Sequence, residues 1–378
     1  MPKVAPLPAA RERALPLLAA LLLGGCQEAT VVALGPAGDT SHPCAGLPVP
    51  APRGPEFLRG IALDLLASDP DPAVRHRIYR NLLDEIRATG ATDVLLPVRW
   101  AMATVRDTTL APRPGLTPSD AELAAVVGDA RARGLGVFLM PIVHVETRRL
   151  GRWRGTLEPA DWDRWWEAYT RFVLHYAAFA EAHGISLFSV GSELSSTEHQ
   201  RARWRHLIAE VRGVYSGQLT YSANWDHFEP IGFVDALDFA GVSTYPTLST
   251  RPDPSEAELD FGWKSFTRRL VRWAKRHGRP VLLTEVGFPS APHAAARPWD
   301  HRPPERADPA LQLRCYRSLV RTFHAAPYLR GLFVWNWLGF DRLDDASYSP
   351  RGKPAAEVIR CWYGALAAGN RQARSDRE

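Results

Sequence analysis

Short apolar segments alternate with longer amphipathic segments along most of the chain. Eight apolar segments occur, each bounded by polar or turn residues, which is typical of buried strands. The segments are Phe57–Leu63, Val94–Val98, Leu135–Ile142, Ser186–Val190, Leu219–Ser222, Leu237–Val242, Val281–Leu283 and Leu332–Trp335.

The amphipathic segments between these runs carry apolar residues at helical spacing. In the first of them Val74, Ile78, Leu82 and Ile86 fall on one face, and Gly90 stands where a helix commonly ends. Strands that alternate with helices in this way predict a parallel α/β sheet covered by helices.

The number of units favours a (β/α)8 barrel, that is, a TIM barrel. Residues 57–340 hold eight strand segments at about 35 residues per unit, which is an ordinary size for this fold. An open, doubly wound sheet is the alternative, but no Gly-rich phosphate loop follows an early strand. The fifth and sixth strands are close in sequence, and we therefore expect an abbreviated helix between them. The predicted barrel domain spans residues 56–368.

The first 25 residues resemble a secretory signal peptide. Basic residues precede an apolar run of about a dozen residues, which is shorter than the roughly 20 needed to span a membrane. The run ends at Leu23–Cys26, which resembles the bacterial lipobox, and we expect Cys26 to be lipidated. The prediction is an exported lipoprotein held in the cell envelope, and Gln27 favours the outer membrane. A signal peptide cleaved without lipidation, or a simple N-terminal anchor, is the alternative.

Two segments outside the predicted barrel show no periodic pattern. Residues 26–55 are rich in Pro, Gly and Ala and are predicted to be a tether, and residues 369–378 are predicted to be a disordered polar tail. The cysteines other than Cys26 are Cys44, Cys315 and Cys361. An exported protein can form disulfides, but three cysteines cannot all pair, and the sequence leaves the pairing open.

Composition and charge narrow the possible functions. The chain is 46% hydrophobic and 23% charged, which excludes a largely disordered or multi-spanning protein. The net charge of +5 comes from 46 basic and 41 acidic residues, and the arginines are interleaved with acids along the chain. Nucleic-acid binders instead gather basic residues in one patch, and we expect no nucleic-acid partner. The sequence does not indicate an oligomeric state.

Two glutamates stand directly after apolar runs, where a barrel enzyme carries its active site. Glu193 follows the fourth run and Glu285 follows the seventh. Strands four and seven lie across the barrel mouth from each other, and so the two carboxyl groups are expected to meet. Such a pair cleaves glycosidic bonds, one group as proton donor and the other as nucleophile or base. One such glutamate would more simply be a cap or an ion-pair partner, but two at these strands favour catalysis.

Several strand-end and loop segments carry recognisable motifs. They are Pro141–Glu146, Trp153–Gly155, Gly191–Leu194, Tyr221–Trp225, Gly241–Tyr245, Thr284–Ser290, Pro298–Trp299 and Phe333–Trp337. In this order they resemble motifs of clan A glycoside hydrolases and, more closely, of glycoside hydrolase family 113, the β-mannanase-type barrels. The resemblance covers roughly residues 57–340. Ser192 departs from the pattern, since most clan members have Asn there, and Met140 and Glu146 stand where the family often has Lys and Asp.

The resemblance implies roles for the strand-end residues. It implies a retaining reaction in which Glu193 is the general acid/base and Glu285 the nucleophile, with Tyr245 hydrogen-bonded to Glu285. It implies a β-linked polysaccharide or oligosaccharide substrate, with β-1,4-mannan as the default, and no cofactor. A zinc site at His144-Val145-Glu146 is disfavoured because the cysteine ligands of zinc deaminases are missing.

Aromatic residues near the predicted cleft are candidates for stacking on sugar rings. Strand alternation places Trp335 and Trp337 on one face, and one of the two is expected to form the platform at the cleavage site. Trp225 and Trp153 are further stacking candidates, with packing between helix and sheet as the alternative.

Polar residues near the cleft are candidates for contacts with substrate. Asn224 is a candidate for the hydroxyl contact that Ser192 does not supply, and His144 for another. Arg99 is expected beside Glu285, with a structural ion pair as an equal alternative. Asp64 either lines the cleft or, as the simpler reading, caps the following helix. The segment 148–154 holds four arginines, which would suit an acidic glycan, although the high arginine content explains them more simply.

The leading hypothesis is therefore a retaining glycoside hydrolase attached to the membrane through an N-terminal lipid. The alternatives are a non-catalytic glycan-binding lipoprotein on the same barrel and a transglycosylase, which shares the covalent intermediate.

Overall fold

The computed structural model describes residues 42–54, 56–66, 68–147, 152–302, 304, 306–339 and 342–375. The predicted signal peptide, Cys26 and residues 27–41 of the predicted tether lie outside the described residues. Among the residues that are described, no helix has both the length and the apolar character needed to cross a membrane.

The described part of the chain forms eight strands and seven α-helices, and each predicted strand is present. The strands are β1 Leu58–Ala62, β2 Asp93–Met102, β3 Gly136–Val145, β4 Leu187–Ser192, β5 Gln218–Ser222, β6 Ala240–Thr244, β7 Val281–Val286 and β8 Leu329–Val334. The helices are α1 Pro72–Ala88, α2 Asp120–Ala132, α3 Trp162–Ala182, α4 Arg201–Val214, α5 Glu256–His277, α6 Pro309–Phe323 and α7 Pro354–Ser375.

The strands form one parallel sheet that is almost closed on itself. Their order is β5-β4-β3-β2-β1-β8-β7-β6, and all the ladders between neighbours are parallel. A single bridge between Ala223 and Val242 joins the two ends of the sheet. With an α-helix after every strand except β5, this is the predicted (β/α)8 barrel.

Strand alternation divides the core into an interior and an outer layer. Leu95 packs in a cluster made only of strand residues and their close neighbours, with Phe138, Met140 and Phe333, and this cluster fills the barrel. The residues on either side of Leu95, Val94 and Leu96, belong to the larger cluster that includes the helix side chains. This is the two-sided burial that period-two alternation imposes on a strand covered by helices.

The connection from β5 to β6 was predicted to hold an abbreviated helix, and it holds no α-helix. A single 3₁₀ turn, Val234–Ala236, stands in its place. The first helix is capped by Asp71, whose side chain accepts a hydrogen bond from the Ala73 N–H, and so the prediction of Asp64 as this cap is wrong. The helix is followed by Gly90 at φ 87°, a left-handed conformation that favours glycine.

The structure differs from the predictions made for the two terminal segments. Residues 42–54 of the predicted tether pack against the barrel, and Cys44 forms a disulfide with Cys361 of α7, which leaves Cys315 as a buried free thiol. The predicted disordered tail begins at residue 369, but α7 continues to Ser375. The Asn370 side chain explains part of this order, because its amide bonds to the backbone of Arg53 and Gly54.

Candidate functional site

The predicted polar residues meet at one end of the barrel. Arg99 lies in β2 and His144 in β3, Glu193 directly follows β4, Tyr245 directly follows β6, and Glu285 is the last residue but one of β7. Because all the strands are parallel, their carboxyl ends share one mouth of the barrel. The mouth is therefore the candidate active site.

Glu193 has an unusual backbone conformation. Its φ is 54°, which few residues other than glycine adopt, and the register of β4 on β5 shifts between Ser189 and Ser192. Its N–H donates to the Ser222 carbonyl at 2.8 Å. A shift of this kind changes the direction of a side chain at a strand end, and strained residues of this kind cluster at functional sites. Close packing below it requires Gly191, since a Cβ there would lie 2.4 Å from the Tyr169 hydroxyl.

The Glu193 carboxylate accepts a hydrogen bond on each oxygen. Arg154 Nη2 donates to Oε2 at 2.5 Å, and Ser243 Oγ donates to Oε1. Arg154 begins the 3₁₀ turn Arg154–Thr156, and its guanidinium lies over the Trp153 ring at 5.5 Å from the ring centre. Sequence reasoning placed Arg154 in an arginine-rich segment near the cleft without a contact to Glu193, and it did not assign Ser243 to the site. The Trp-Arg-Gly motif was the available signal for Arg154.

Glu285 accepts one hydrogen bond in a closed environment. Tyr245 donates its hydroxyl to Oε2 at 2.9 Å, while Oε1 has no partner among the described residues. The residue is only 4% exposed, and the register of β7 on β8 shifts between Leu283 and Val286, around Glu285. Burial raises the pKa of Tyr245 well above 10, and so its phenol remains a donor at neutral pH.

The two carboxyl groups interact electrostatically. Burial, and after it the negative charge of Glu193, raises the pKa of Glu285 to about 8, against the opposing effects of Arg154, Tyr245 and Arg99. Two negative charges this close repel each other in a buried site, and this repulsion disfavours ionisation of Glu285. One protonated and one ionised carboxyl is the state that an acid and a nucleophile require.

Arg99 forms a structural ion pair and also acts electrostatically on Glu285, which are the two interpretations that the sequence left open. Its Nη1 and Nη2 donate to the two carboxylate oxygens of Asp64 at 2.5 and 2.8 Å, which is a structural ion pair at the end of β1. Its charge also acts on Glu285, whose pKa it lowers relative to burial alone.

Comparison with known families agrees with these features. The model of Glycoside Hydrolase Family 113 matches residues 75–349, which is most of the chain. The chain belongs to glycoside hydrolase family 113. The resemblance found in the strand-end motifs is thereby confirmed, and the protein is a glycoside hydrolase.

Solved structures of family members are similar to this family 113 barrel. The β-mannanase AaManA from Alicyclobacillus acidocaldarius, in complex with ManMIm, is 29% identical with a TM-score of 0.73, over 82% of this chain and 98% of that one. A second GH113 β-1,4-mannanase complex is 25% identical with a TM-score of 0.73, over 82% and 99%. An endo-β-1,4-mannanase from Thermotoga petrophila, 14% identical with a TM-score of 0.54 over 84% and 78%, shares the fold. No curated protein matches the chain.

The two tryptophans after β8 lie on different sides of this family 113 barrel. Trp335 packs against the interior cluster and stays partly exposed at the mouth. Trp337 is fully buried in the outer layer, where its Nε1 donates to Glu85 of α1 at 2.9 Å. The prediction that both share a face, and the candidacy of Trp337 for sugar binding, are therefore wrong. Strand β8 ends at Val334, and strand alternation does not extend past that residue.

The other aromatic candidates lie at different depths. Trp225 is half-buried and stacks on Trp299, with ring centres 5.2 Å apart, and Trp299 is 42% exposed. This pair offers an aromatic surface after β5 and β7. Trp153 is half-buried against Arg154 and so lies next to the hydrogen-bonded Glu193.

The polar candidates face the mouth or its rim. Asn224 follows β5 and is 8% exposed. His144 alternates in β3 with Met140 and other interior residues, which places its side chain on the interior face at the mouth. Nearby Glu146 is exposed and accepts two hydrogen bonds from Arg113, at 2.5 and 2.7 Å.

Two remaining predictions concern the arginine segment and metals. Residues 148–151 lie outside the described residues, and Arg152 pairs with Glu158 at 2.5 Å. Among the residues that are described, one group has the spacing of metal ligands, namely His42, Cys44 and Cys361. Two of its members are joined in the disulfide, and so their sulfurs are not available as thiolates.

Proposed function

We propose that this family 113 member is a retaining glycosidase in which Glu193 is the general acid/base and Glu285 the nucleophile. The observation that carries the proposal is the pair itself. Two buried carboxyl groups lie at the ends of β4 and β7, and the charge of Glu193 acts on Glu285. Arg154 and Tyr245 interact with both groups. Separate environments around two such groups are the basis for dividing the roles of acid and nucleophile.

The first step of the reaction forms a glycosyl-enzyme. A carboxylate oxygen of Glu285 attacks the anomeric carbon while the bond from that carbon to the leaving oxygen breaks. Glu193 gives its proton to that oxygen, and the leaving sugar departs as an alcohol. Tyr245, which donates to Oε2 of Glu285 at 2.9 Å, leaves Oε1 open for the attack.

The second step releases the sugar. Glu193, now ionised, takes a proton from water, the hydroxide attacks the anomeric carbon, and the bond to Glu285 breaks. Ser243 and Arg154 both donate to ionised Glu193 and thus stabilise it between the two steps.

The proposed substrate is a β-1,4-linked mannan or manno-oligosaccharide. The support is that the family members with similar structures are described as β-mannanases, one of them in complex with ManMIm. Partly exposed Trp335 at the mouth, and the Trp225–Trp299 pair, supply faces on which the C–H groups of a pyranose can pack.

The test is hydrolysis of a glycan panel by wild type and three variants. Mannan, glucomannan, xylan, β-glucan and an acidic glycan are compared, with products identified by their anomeric configuration. Glu285→Ala is expected to abolish cleavage. Glu193→Ala is expected to lose most activity on polysaccharide and to recover part of it on substrates with good leaving groups, which need no acid. Glu181→Gln, an exposed glutamate bonded to Ser216, is the control and is expected to retain full activity.

Other outcomes overturn specific parts of the proposal. Binding of glycans without cleavage of any would indicate a glycan-binding protein, and products longer than the substrate would indicate a transglycosylase. Inverted product configuration would exclude Glu285 as a nucleophile. Absence of recovery for Glu193→Ala would reassign its role.

We further propose that the enzyme is an exported lipoprotein acylated at Cys26. The signal-like sequence before Cys26 supports this, as does the Cys44–Cys361 disulfide, since such bonds persist in oxidising compartments. Radiolabelled palmitate is expected to enter the wild type and not Cys26→Ser. Label retained by the variant would overturn the lipid anchor.

A further inference from the structure

Glu193 is the one residue other than glycine with a positive φ in the described part of the chain. Such a backbone conformation persists only where the surrounding structure fixes it. The peptide group before Glu193 is fixed by the backbone of β5, because the Glu193 N–H donates to the Ser222 carbonyl at 2.8 Å. A bond between two backbone groups is available to almost any sequence. The peptide group after Glu193 is therefore where side chains can support this conformation.

The peptide group after Glu193 is held by a side chain of β5. The Leu194 N–H donates to the Tyr221 hydroxyl at 2.8 Å, and this hydroxyl donates in turn to Glu198 Oε1 at 2.7 Å. Tyr221 is buried, which raises its pKa well above 10, and so the phenol keeps the proton that it donates. Its lone pairs are left to accept from Leu194.

Glu198 reaches Tyr221 through the turn that follows Glu193. The 3₁₀ turn Ser195–Thr197 leads into Glu198, whose side chain is 1% exposed. Its Oε2 lies 2.8 Å from Nδ1 of half-exposed His227, and this hydrogen bond raises the pKa of His227. The segment from Glu193 to Glu198 is in this way bonded to β5 at both of its ends.

The burial of Tyr221 and Glu198 is costly and needs a reason. A phenol hydroxyl and a carboxyl both lose their water on burial, a cost that an apolar pair of similar size avoids. An apolar pair, however, would leave the buried Leu194 N–H without its acceptor. The contribution that requires these two polar groups is therefore the support of the peptide group next to Glu193.

We propose that Tyr221 and Glu198 are positioning residues that hold the carboxyl group of Glu193 in the direction that proton transfer needs. Tyr221 accepts from the Leu194 N–H, and Glu198 fixes the hydroxyl of Tyr221. The inference rests on the proposed function, because it takes the role of Glu193 as general acid/base from there. Both residues act through Glu193, and so their loss should weaken proton transfer and leave the attack by Glu285 in place.

The kinetic test compares a substrate that needs the acid with one that does not. Mannan requires a proton on its leaving oxygen, whereas an aryl β-mannoside with a good leaving group does not. Tyr221→Phe is expected to lower kcat/KM for mannan about 10-fold and to change kcat/KM for the aryl glycoside by less than about twofold. A merely structural role would reduce the amount of active enzyme and would lower both values equally.

Three further variants separate the hydrogen bonds from general effects. Glu198→Gln keeps an oxygen that accepts from Tyr221, and its ratio of the two kcat/KM values is expected to match the wild type. Glu198→Leu removes that oxygen and is expected to change the ratio in the same direction as Tyr221→Phe. Tyr363→Phe is the control, because this buried hydroxyl donates to the Gly60 carbonyl of β1, at 2.8 Å, and its loss should leave the ratio unchanged.

Crystal structures locate the Glu193 carboxyl directly and need no turnover. The wild type is expected to show the Leu194 N–H bonded to the Tyr221 hydroxyl. In Tyr221→Phe the peptide group after Glu193 is expected to rotate, and the carboxyl group to move relative to Glu285. If Tyr221→Phe fails to fold, as judged by near-ultraviolet circular dichroism, Glu198→Leu and the wild-type structure take its place in the test.

Three results would overturn the proposal. They are a wild-type structure without the bond from Leu194 to Tyr221, a Tyr221→Phe structure in which the Glu193 carboxyl has not moved, and a Tyr221→Phe enzyme whose ratio of kcat/KM values equals that of the wild type. A wild type that cleaves neither substrate would be a failure of the proposed function instead. The structures would still decide whether Tyr221 holds Glu193.

Discussion

At the scale of single residues, the site depends on which donor contacts which carboxylate oxygen. Tyr245 bonds one oxygen of Glu285 and is buried, so that water cannot replace its hydroxyl without entering the pocket. Its hydrogen bond opposes the effect of burial on the pKa of Glu285. The same hydroxyl therefore both orients the carboxylate and favours its ionised form.

Replacing Tyr245 with Phe is expected to lower kcat/KM by about 10- to 100-fold, since a hydrogen bond to a charged group contributes about 1.5–3 kcal/mol. The pH dependence has a definite sign. Loss of the donor raises the pKa of Glu285 further, Glu285 must be ionised to attack, and so the acidic limb of kcat/KM moves to higher pH. The measurement is the pH profile of kcat/KM for both proteins.

The control for this prediction is Tyr215→Phe. Tyr215 is also buried, but its hydroxyl donates to the Ile185 carbonyl at 2.9 Å, ahead of the N-terminal end of β4 and away from the mouth. It is expected to lose stability without a change in the acidic limb. If both variants moved that limb equally, the effect would be one of general destabilisation.

At the scale of elements, the sequence predicted the structure well where apolar residues recur at strand or helix spacing, and poorly in the loops where this spacing ends. Eight apolar runs located all eight strands of the described chain, and the short segments after the fourth and seventh runs contained Glu193 and Glu285. Trp337 was misplaced because β8 has ended before it. The contact of Arg154 with Glu193 was missed because the two residues are 39 positions apart in sequence. Such contacts depend on three-dimensional packing and leave no periodic signal.

One contact between elements joins α1 to the segments around α7. Glu85 accepts hydrogen bonds from Trp337 Nε1 at 2.9 Å and from Arg351 Nε and Nη2 at 2.6 and 2.7 Å. Burial acts to raise the pKa of Glu85, but these hydrogen bonds outweigh it and hold the pKa below its usual value. The ionised form of Glu85 therefore contributes to folding stability.

Glu85→Gln is expected to lower the free energy of unfolding by about 1 kcal/mol at neutral pH, a modest value because the Glu85 side chain is 35% exposed and solvent screens the pair. The contribution is present above the unfolded-state pKa and is lost as pH falls through the lowered folded-state pKa. The difference between variant and wild type should hence shrink in acid. Urea denaturation at neutral and acidic pH measures this. Asp344→Asn, at an exposed pair with Arg342, should change stability less, and an equal change would contradict the role of Glu85.

At the scale of the whole molecule, residues 42–54 pack against helices α6 and α7 and link them. Residues 42–54 contact α6 and α7 at several points, including a hydrogen bond from Arg317 Nη1 to the Pro43 carbonyl at 2.7 Å and one from Arg53 Nη2 to the Phe323 carbonyl at 2.8 Å. The Cys44–Cys361 disulfide adds a covalent link across 317 positions. The two ends of the described chain are in this way joined on one side of the barrel.

The disulfide should stabilise the fold without affecting the chemistry. A cross-link that closes so long a loop restricts the unfolded chain, and removing a native disulfide costs about 2–5 kcal/mol. Cys44→Ser is expected to lose free energy of unfolding of that order in urea, while its kcat/KM at low temperature stays unchanged, because the described hydrogen bonds to the carboxyl pair come from Arg154, Ser243 and Tyr245 and not from this link. Reductant should lower the stability of the wild type to the level of the variant and leave the variant itself unchanged, since Cys315 is a free thiol in both. Equal stability of the two oxidised proteins would show that the hydrogen bonds of Arg53 and Arg317 suffice to hold the segment. A folded Cys44→Ser with impaired turnover would instead show that the segment influences the barrel mouth.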